Sequence, residues 1–416
     1  MQPGTNIRLG LRENLGQFSL LVLINAFVGA MVGLERTILP LLAEKDFGLT
    51  SRATILSFIA SFGVTKAITN LFAGYFSDKY GRKILLVIGW LFGVPVPFIV
   101  IFAPSWSWIV FANVLLGIQQ GLCWSTTVVM KIDLVGPKRR GLAMGWNEFA
   151  GYLAVALAAL ASGYIAERFG LRPEPFYLGI AFVALGLFLS LIFVIDTKQH
   201  VSLEVQRTKQ LQDPKNIFQV FAITSWKNKN LFSCSQAGLV NNLNDGMVWG
   251  LLPIFLASFN LNLARIGQLV AIYPAVWGLL QIYTGALSDR IGRKGMIVTG
   301  MWVQTAGIML LVLGAGYAGW ISGLILLGIG TAQVYPTLLA AVGDIAHPAW
   351  RAASVGVYRF WRDAGYAIGA VSSGIIADHF GIHAAIYSIG GLTFLSGVVT
   401  NLLMTKSITM RDSSRV

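Results

Sequence analysis

Twelve apolar stretches dominate this 416-residue sequence and limit the folds open to it. Each is long enough to cross the roughly 30 Å hydrocarbon core of a bilayer as a helix. Because lipid offers no partner to backbone polar groups, such stretches must be helices rather than open strands. The predicted fold class is therefore an all-α integral membrane protein with twelve transmembrane helices. The stretches lie at 18–41, 53–77, 84–103, 107–131, 141–166, 176–195, 230–258, 266–288, 295–315, 319–343, 351–377 and 383–404.

The composition excludes a soluble globule and explains the high net charge. Hydrophobic residues make up 55% of the chain, charged residues only 12%, and the mean hydropathy is +0.68. The net charge of +13 arises because Lys and Arg gather in the loops on one side, which the positive-inside rule assigns to the cytoplasm. We therefore expect both termini to be cytoplasmic, in a bacterial-type inner membrane, and expect no nucleic-acid partner.

A polar stretch divides the twelve segments into two groups of six. The predicted domains are an N-terminal six-helix bundle at 1–195, a cytoplasmic linker at 196–229 and a C-terminal six-helix bundle at 230–416. Apolar residues stand among polar ones in the linker, which predicts a short helix at the membrane interface. These apolar residues are Ile217, Phe218, Phe221 and Trp226.

The two groups are repeats of one another at a single offset of 211 residues. The loop 74–83 ends in Gly-Arg-Lys and matches the loop 285–294, which carries the same glycines, aspartate and basic pair. The register continues beyond the loops, as shown by Asp133 and Asp344. Two pseudo-symmetric bundles of equal topology, related by an axis along the membrane normal, are therefore predicted.

With twelve segments in two halves, a cytoplasmic linker and two loops of this type after segments 2 and 8, the sequence resembles the major facilitator superfamily. The resemblance spans nearly the whole chain, and the doubled loop is specific to the superfamily but not to a substrate. It implies that segments 3, 6, 9 and 12 are peripheral, while the others line a central cavity for a small molecule.

The ionisable residues within the membrane agree with that division. No Asp, Glu, Lys or Arg lies in segments 3, 6, 9 or 12. An ionisable group at a helix centre costs about 3 kcal/mol and marks a functional site by default. The residues are Glu35, Arg36, Lys66, Glu148, Asp245, Arg359, Arg362 and Asp363.

Helical spacing places these charges on stripes shared with amides and aromatic rings. Arg359, Arg362 and Tyr366 follow one face of segment 11, and Phe62 and Asn70 share the stripe of Lys66. We predict a polar cavity with aromatic walls, whereas the alternative is a set of hydrogen bonds that only hold the helices together. The predicted substrate-binding residues are Arg36, Lys66, Gln120, Trp124, Tyr152, Asn241, Asn244, Trp249, Tyr273, Trp277, Gln281, Gln333, Arg359, Arg362 and Tyr366.

Two roles are expected for the charges. Position 359 corresponds to 148 in the repeat, so Arg359 and Glu148 put opposite charges at equivalent depths. We expect Arg359 and Arg362 to face a negative group of the substrate, and Glu148 or Asp245 to exchange a proton. The competing interpretation is a static salt bridge of Asp363 with Arg359 or Lys66. The predicted proton-coupling residues are Glu148, Asp245, Asp363 and Glu35.

The repeated loops predict a gate on the cytoplasmic side. The resemblance implies that Asp78 lies near the start of segment 11, and the repeat then places Asp289 near the start of segment 5. Their carboxylates would face the positive N-terminal ends of those helices. The analogous ion pairs are Arg82 with Asp133 and Arg293 with Asp344. These contacts are expected to close the cytoplasmic side and to break when it opens.

The sequence departs at two positions from the pattern of the proton-drug antiporters, one branch of the superfamily, and these departures argue against that function. Proton-drug antiporters of this kind often carry an arginine midway in segment 4, where Asn113 stands here. They also carry a Gly-x-x-x-Gly-Pro pattern in segment 5, and that segment contains no proline.

The expected function is secondary active transport of a small anionic or zwitterionic organic solute by alternating access, coupled to protons. Broad efflux of amphipathic compounds is the alternative within that class, and a membrane sensor that binds without transport is the alternative outside it. No phosphate-binding loop, nucleophile arrangement or metal-ligand cluster is present, so neither an enzyme nor a cofactor is predicted. We expect a monomer.

Overall fold

The computed structural model describes residues 9–135, 140–200, 217–314, 316–346 and 351–405. Within these ranges every regular element is a helix, and twelve long helical segments, α1 to α12, follow one another. This confirms the predicted all-α fold of two six-helix halves. The first half contains α1 (Leu15–Lys45), α2 (Ser57–Tyr80, preceded by the short helix Arg52–Ile55), α3 (Arg82–Gly93, continued by Pro95–Phe102), α4 (Trp106–Val135), α5 (Arg140–Phe169) and α6 (Glu174–Ile192).

The second half repeats this order. Asn228 caps its first helix, because the side-chain oxygen accepts hydrogen bonds from the backbone N–H groups of Asn230 and Leu231. The helices are α7 (Lys229–Ala257), α8 (Leu263–Ile291), α9 (Arg293–Leu313), α10 (Gly316–Ile345), α11 (Arg351–Phe380) and α12 (Ile382–Leu403).

Within the described residues, nine of the twelve segments are apolar and long enough to cross a membrane by composition alone. The other three are α2, α7 and α11, which carry Lys66, Asp245 and Arg362 respectively. These helices need not be apolar on every side, because the side that carries these residues faces the protein interior rather than lipid. Their polarity therefore marks the interior of the bundle.

The linker segment contacts α11. It forms one helical turn, Ile217–Ala222, followed by a π-helical turn, Ile223–Lys227. Trp361 donates a hydrogen bond to the Ser225 hydroxyl at 2.8 Å, while Trp226 is exposed.

Glycines let helices of one half approach closely. In the first half, a Cβ on Gly29 of α1 would lie 2.1 Å from the Gly151 carbonyl oxygen of α5. In the second, a Cβ on Gly365 of α11 would lie 2.2 Å from the Leu239 carbonyl oxygen of α7. Small residues at helix crossings are the usual means of tight packing in membranes, because burial of apolar side chains does not favour helix association in lipid.

We call the face at which α1 begins and α12 ends the inner face, and the opposite one the outer face. The halves are in contact towards the outer face: a Cβ on Gly163 of α5 would lie 2.9 Å from the Gly267 Cα of α8. Towards the inner face, a Cβ on Gly145 of α5 or on Gly356 of α11 would meet no atom within 4 Å. The halves are thus in contact on the outer side, whereas no helix in the described part of the chain packs against these two glycines near the inner ends.

Candidate functional site

A small polar cavity lies between the halves, on the inner side of the helix centres. Its volume is about 10 Å³, room for one water molecule, so a solute can enter only if the side chains around it move. Both halves supply its walls. The lining residues are Lys66 and Asn70 of α2, Trp124 and Ser125 of α4, Glu148 of α5, Tyr335 of α10, and Arg359 and Arg362 of α11.

Arg359 reaches across the cavity to the first half. Its Nη1 donates to the Ser125 hydroxyl at 3.1 Å, and its Nε has no hydrogen-bond partner. The Ser125 hydroxyl in turn donates to the Asn70 side-chain oxygen at 2.5 Å. No carboxylate of the described residues forms an ion pair with Arg359, so its charge is held by neutral groups alone.

Lys66 is surrounded by aromatic rings. Its Nζ lies 5.4 Å from the ring centre of Phe62, 5.5 Å from that of Trp124 and 5.3 Å from that of Tyr366. An ammonium group over ring faces is stabilised by the ring quadrupoles. No ion pair of Lys66 exists in the described part of the chain, so a second positive charge remains without an anion.

Glu148 is the acid of the cavity. Its Oε1 accepts hydrogen bonds from Trp124 Nε1 at 2.9 Å and from Asn147 Nδ2 at 3.1 Å. Its Oε2 is buried and has no partner. Arg359 and Glu148, which the repeat makes equivalent, therefore both line one cavity, and each has a side-chain atom without a hydrogen-bond partner.

Arg362, by contrast, is neutralised by the residue beside it. Its guanidinium pairs with the Asp363 carboxylate at 2.7 Å, and its Nη1 donates to the Tyr335 hydroxyl at 2.6 Å. Asp363 also accepts hydrogen bonds from Asn242 at 3.3 Å and from Asn70. The competing interpretation, a static salt bridge of Asp363 with Arg359 or Lys66, is not seen among the described residues, where the Asp363 carboxylate pairs with Arg362.

An aromatic layer separates the cavity from the outer face. The rings of Tyr152 and Trp277 lie 3.6 Å apart between centres, and Tyr335 lies 5.1 Å from Trp277. Tyr273 stacks on Trp277 at 5.6 Å, and Trp124 closes the layer against Tyr152 at 5.2 Å. Because α5 and α8 belong to different halves, this layer also joins the halves.

Above this layer an ion pair joins the halves. Arg36 of α1 donates to the Asp245 carboxylate of α7 at 3.0 Å, with side chains 3% and 0% exposed. The Arg36 guanidinium lies 5.3 Å from the ring centre of Trp249. Trp249 packs in turn on Phe62, with 5.1 Å between ring centres. Arg36 and Asp245, predicted as a substrate ligand and a proton carrier, are partners outside the cavity.

Several predicted ligands bind neighbouring helices instead. Asn244 donates to Gln304 of α9 at 2.8 Å and accepts from Thr393 of α12 at 2.6 Å, while Asn241 accepts from the same Gln304 at 3.0 Å. These contacts lie within the second half. They agree with the alternative in which such amides form hydrogen bonds that only hold the helices together. Helical spacing predicts on which face of its helix a side chain lies, but it does not predict which other helix packs against that face.

The other predicted site residues either bind neighbouring helices or are buried away from the cavity. Gln120 donates to the Val28 carbonyl at 2.7 Å, and Gln333 accepts from Thr299 of α9 at 3.3 Å. Gln281 and Glu35 are buried, and neither is among the residues around the cavity.

The gate residues form ion pairs inside each half. Arg82 pairs with Asp133 at 3.2 Å, and Arg293 pairs with Asp344 at 3.0 Å. Each pair lies within one half, so in this structure it holds the loop to α4 or α10 of the same half. The Asp133 side chain is 10% exposed and that of Asp344 57%.

Glycine permits the turns that place these arginines. Gly81 and Gly292 both have φ of 99°, in the region that side chains rarely adopt. Each therefore turns the chain sharply from one helix into the next. The side chains of Asp78 and Asp289 lie outside the described residues.

Ser125 and Tyr335 line the cavity but are absent from the residues predicted by sequence. Tyr335 is the repeat equivalent of Trp124, so the register that relates Glu148 to Arg359 also leads to it. Ser125 is a small polar residue in an otherwise ordinary helix, and no sequence signal distinguishes it.

Comparison with known proteins covers nearly the whole chain. The sequence profile of the Major Facilitator Superfamily matches residues 20–235 and 234–413. An uncharacterized MFS-type transporter of Methanocaldococcus jannaschii is 25% identical over 85% of this chain and 91% of its own. The multidrug resistance protein MdtG of Proteus mirabilis is 26% identical over 88% of this chain and 90% of its own.

Two solved structures are similar in fold. The human organic anion transporter MFSD10 superposes with a TM-score of 0.67 at 16% identity, covering 92% of this chain and 99% of its own. The nucleoside transporter NupG, as a point mutant, superposes with a TM-score of 0.73 at 14% identity, covering 94% of this chain and 100% of its own.

Proposed function

The chain belongs to the major facilitator superfamily, and on this premise we propose that it carries small organic anions, or zwitterions with a carboxylate, by proton-coupled alternating access. The superfamily makes it a membrane transporter. The substrate class and the coupling ion are our proposal, together with an inner face that is cytoplasmic. Because one chain supplies both walls of the cavity, the transporting unit is proposed to be a monomer.

The single observation that carries the anion proposal is the unpaired positive charge in the cavity. Arg359 and Lys66 form no ion pair among the described residues, while Arg362 is already neutralised by Asp363. An intramembrane charge usually has a partner, since an unpaired one is costly. A substrate carboxylate between Arg359 and Lys66 supplies that partner when it binds.

The neutral walls suit the rest of such a solute. Trp124 and Tyr335 contribute aromatic rings from opposite halves, and Ser125 and Asn70 contribute hydrogen-bonding groups. Because the cavity holds only about 10 Å³, the halves or the side chains must separate as the solute enters. Closure of the inner ends around it would then let the outer side open.

Glu148 is the proposed proton carrier. Its Oε2 has no hydrogen-bond partner, and it shares the cavity with both unpaired cations. A substrate anion at Arg359 and an ionised Glu148 repel each other, so protonation of Glu148 favours binding of the anion. This electrostatic competition couples binding of the substrate anion to binding of the proton, and it does not require contact between the anion and Glu148.

Broad efflux of amphipathic compounds is the second candidate. The relative MdtG bears the name of a multidrug resistance protein, and the aromatic layer offers wide apolar contact. In that case the rings rather than the arginine would set affinity, and cationic compounds would bind as well as anionic ones.

Proteoliposomes containing the purified chain test the proposal with two fluorescent probes of similar size. Fluorescein is a planar aromatic anion and ethidium a planar aromatic cation. We expect a pH gradient to drive fluorescein and not ethidium. Arg359→Gln should raise the KM for fluorescein about tenfold or more, because a hydrogen bond to a charged group contributes about 1.5–3 kcal/mol.

The matched control is Arg168→Gln, which removes an exposed arginine at the outer end of α5. It should leave the KM for fluorescein unchanged. Transport of both probes at similar rates, insensitive to Arg359→Gln, would contradict the anion site and favour the second candidate.

A further inference from the structure

Two carboxylates at the outer face bind the first turns of helices in the opposite half. Asp378, near the outer end of α11, accepts hydrogen bonds from the Ser51 hydroxyl at 2.7 Å, from the Ala53 backbone N–H at 3.0 Å and from the Arg52 backbone N–H. Residues 51–53 begin the short helix that leads into α2. A carboxylate of the second half therefore caps a helix of the first.

The reciprocal contact exists on the other side of the molecule. Glu167, near the outer end of α5, accepts a hydrogen bond from the Leu263 backbone N–H at 2.8 Å. Leu263 is the first residue of α8. Here a carboxylate of the first half caps a helix of the second.

The two contacts are related by the repeat. Glu167 and Asp378 are separated by 211 residues, and Arg52 and Leu263 are separated by the same number. Donor and acceptor thus exchange halves under the pseudo-symmetry of the fold. A chance surface contact would not be expected to recur at both equivalent positions with both partners preserved.

Both contacts lie where the halves are closest at the outer face. A Cβ on Gly374 of α11 would lie 2.7 Å from the Ala53 Cα, and the Gly163 and Gly267 crossing lies beside Glu167. The first N–H groups of a helix have no partner in their own helix, and the helix dipole favours a negative charge there. If the halves separate on the outer side, both carboxylates must leave these N–H groups to water.

We propose that Glu167 and Asp378 are a matched pair of outer latches, gate residues that favour the outer-closed conformation over the outer-open one. The latch proposal rests on the alternating access proposed above. The neighbouring arginine does not replace the backbone contact, because the Arg52 guanidinium pairs with Glu44 of its own half.

The test measures opening without any substrate. Leu56 is 1% exposed and lies against Gly250 of the opposite half, with its Cγ 2.5 Å from where a Cβ on that glycine would stand. Leu56→Cys therefore reacts with a charged maleimide only when the outer side opens. Purified full-length protein in lipid nanodiscs is labelled, and the rate is compared between variants.

We expect Glu167→Gln with Asp378→Asn to raise the labelling rate about threefold to thirtyfold, from the usual strength of two carboxylates at helix N-termini. Each single substitution should give a smaller rise. Glu167→Asp with Asp378→Glu keeps both negative charges and should return the rate towards that of the parent. Asp46→Asn is the matched control, since Asp46 pairs with Arg172 of its own half at 2.9 Å and should leave the rate unchanged.

The native Cys123 and Cys234 are both buried and report on loosening of the fold. If their labelling rises together with that of Leu56→Cys, the substitutions act on general stability and the latch proposal is overturned. An unchanged rate in the double variant overturns it as well. Because no transport is measured, a faster rate supports the latches even if fluorescein proves not to be carried.

Discussion

The two oxygens of the Glu148 carboxylate have different surroundings, and this difference defines its chemistry. Oε1 is held by Trp124 and Asn147, whereas the buried Oε2 has no partner. The held oxygen fixes the orientation of the side chain. The oxygen without a partner is the atom that the proposed proton coupling would use.

Glu148→Gln therefore should separate coupling from transport. Glutamine has the same shape and retains an oxygen for Trp124 and Asn147, but it cannot ionise. We expect exchange of fluorescein across equal concentrations to continue, while accumulation driven by a pH gradient falls by about tenfold or more, since the driving force is lost. Both are measured in proteoliposomes with the same probe.

Glu13→Gln, at an exposed position before α1, is the control and should retain gradient-driven accumulation. If Glu148→Gln also retains gradient-driven accumulation, a residue other than Glu148 carries the proton.

At the residue scale, the sequence predicts which residue types belong in the interior better than it predicts their partners. The cost of charge in lipid correctly directs attention to Lys66, Glu148 and Arg359, all of which line the cavity. Asn244 satisfies the same helical spacing but binds Gln304 of α9. A helix such as α7 has neighbours on several sides, and spacing along one helix carries no information about which neighbour lies on which side.

Among the elements, α5 and α8 form a close crossing between the halves in the outer half of the membrane. Gly163 and Gly267 face each other there, and a Cβ on either would lie 2.9 or 3.0 Å from the Cα of the other. Such a contact requires the absence of side chains. The outer-closed packing of these two helices therefore depends on glycine at both positions.

Gly163→Leu should prevent this approach and favour the outer-open conformation. The added side chain has no room, and overpacking of a tight contact costs about 1–3 kcal/mol, which corresponds to about a fivefold to hundredfold shift. Labelling of Leu56→Cys from the outer side should rise by that factor.

Gly391→Leu on the peripheral helix α12 is the control, because a Cβ at that glycine meets no atom within 4 Å. Should both variants label at the parent rate, the α5 and α8 crossing is not part of outer closure.

Element boundaries follow from sequence to the extent that hydropathy controls them. The predicted segment 383–404 is observed as Ile382–Leu403, whereas the predicted 107–131 extends to Trp106–Val135. Helices that continue past the lipid into polar residues give no hydropathy signal at their ends. α3 is interrupted at Val94 because Pro95 has no N–H to continue the hydrogen-bond pattern of the helix, although Val94 itself keeps helical φ and ψ of −52° and −51°.

Over the whole molecule, the repeat predicts the architecture but not the conformation. Its register relates Glu148 to Arg359, and also relates the two outer contacts of Glu167 and Asp378. Inner-open and outer-open forms use the same helices and differ only in which ends of the halves touch. Since a few contacts of a few kcal/mol decide between them, a sequence pattern that is shared by both forms cannot select one.

The buried ion pair of Arg36 and Asp245 is the strongest of those contacts by burial, and it joins α1 to α7 on the closed side. Removal of one partner leaves a buried charge alone, which typically costs about 3–5 kcal/mol. That cost applies only while the outer side is closed, because opening lets water reach the remaining charge. Each single substitution should therefore favour the outer-open form.

A double-mutant cycle of Arg36→Met, Asp245→Leu and both together tests this role. Spin labels at Lys45→Cys and Ser258→Cys, which are exposed at the outer ends of α1 and α7 in opposite halves, report the separation of the halves. Each single variant should gain a population at longer distance. The double variant should return to the parent distance, because an apolar pair of similar volume packs in the closed form without a stranded charge. If both single variants keep the parent distance, the pair adds nothing to outer closure; if the double variant opens as far as the singles, the attraction between the charges, rather than the isolation of one, holds the halves together.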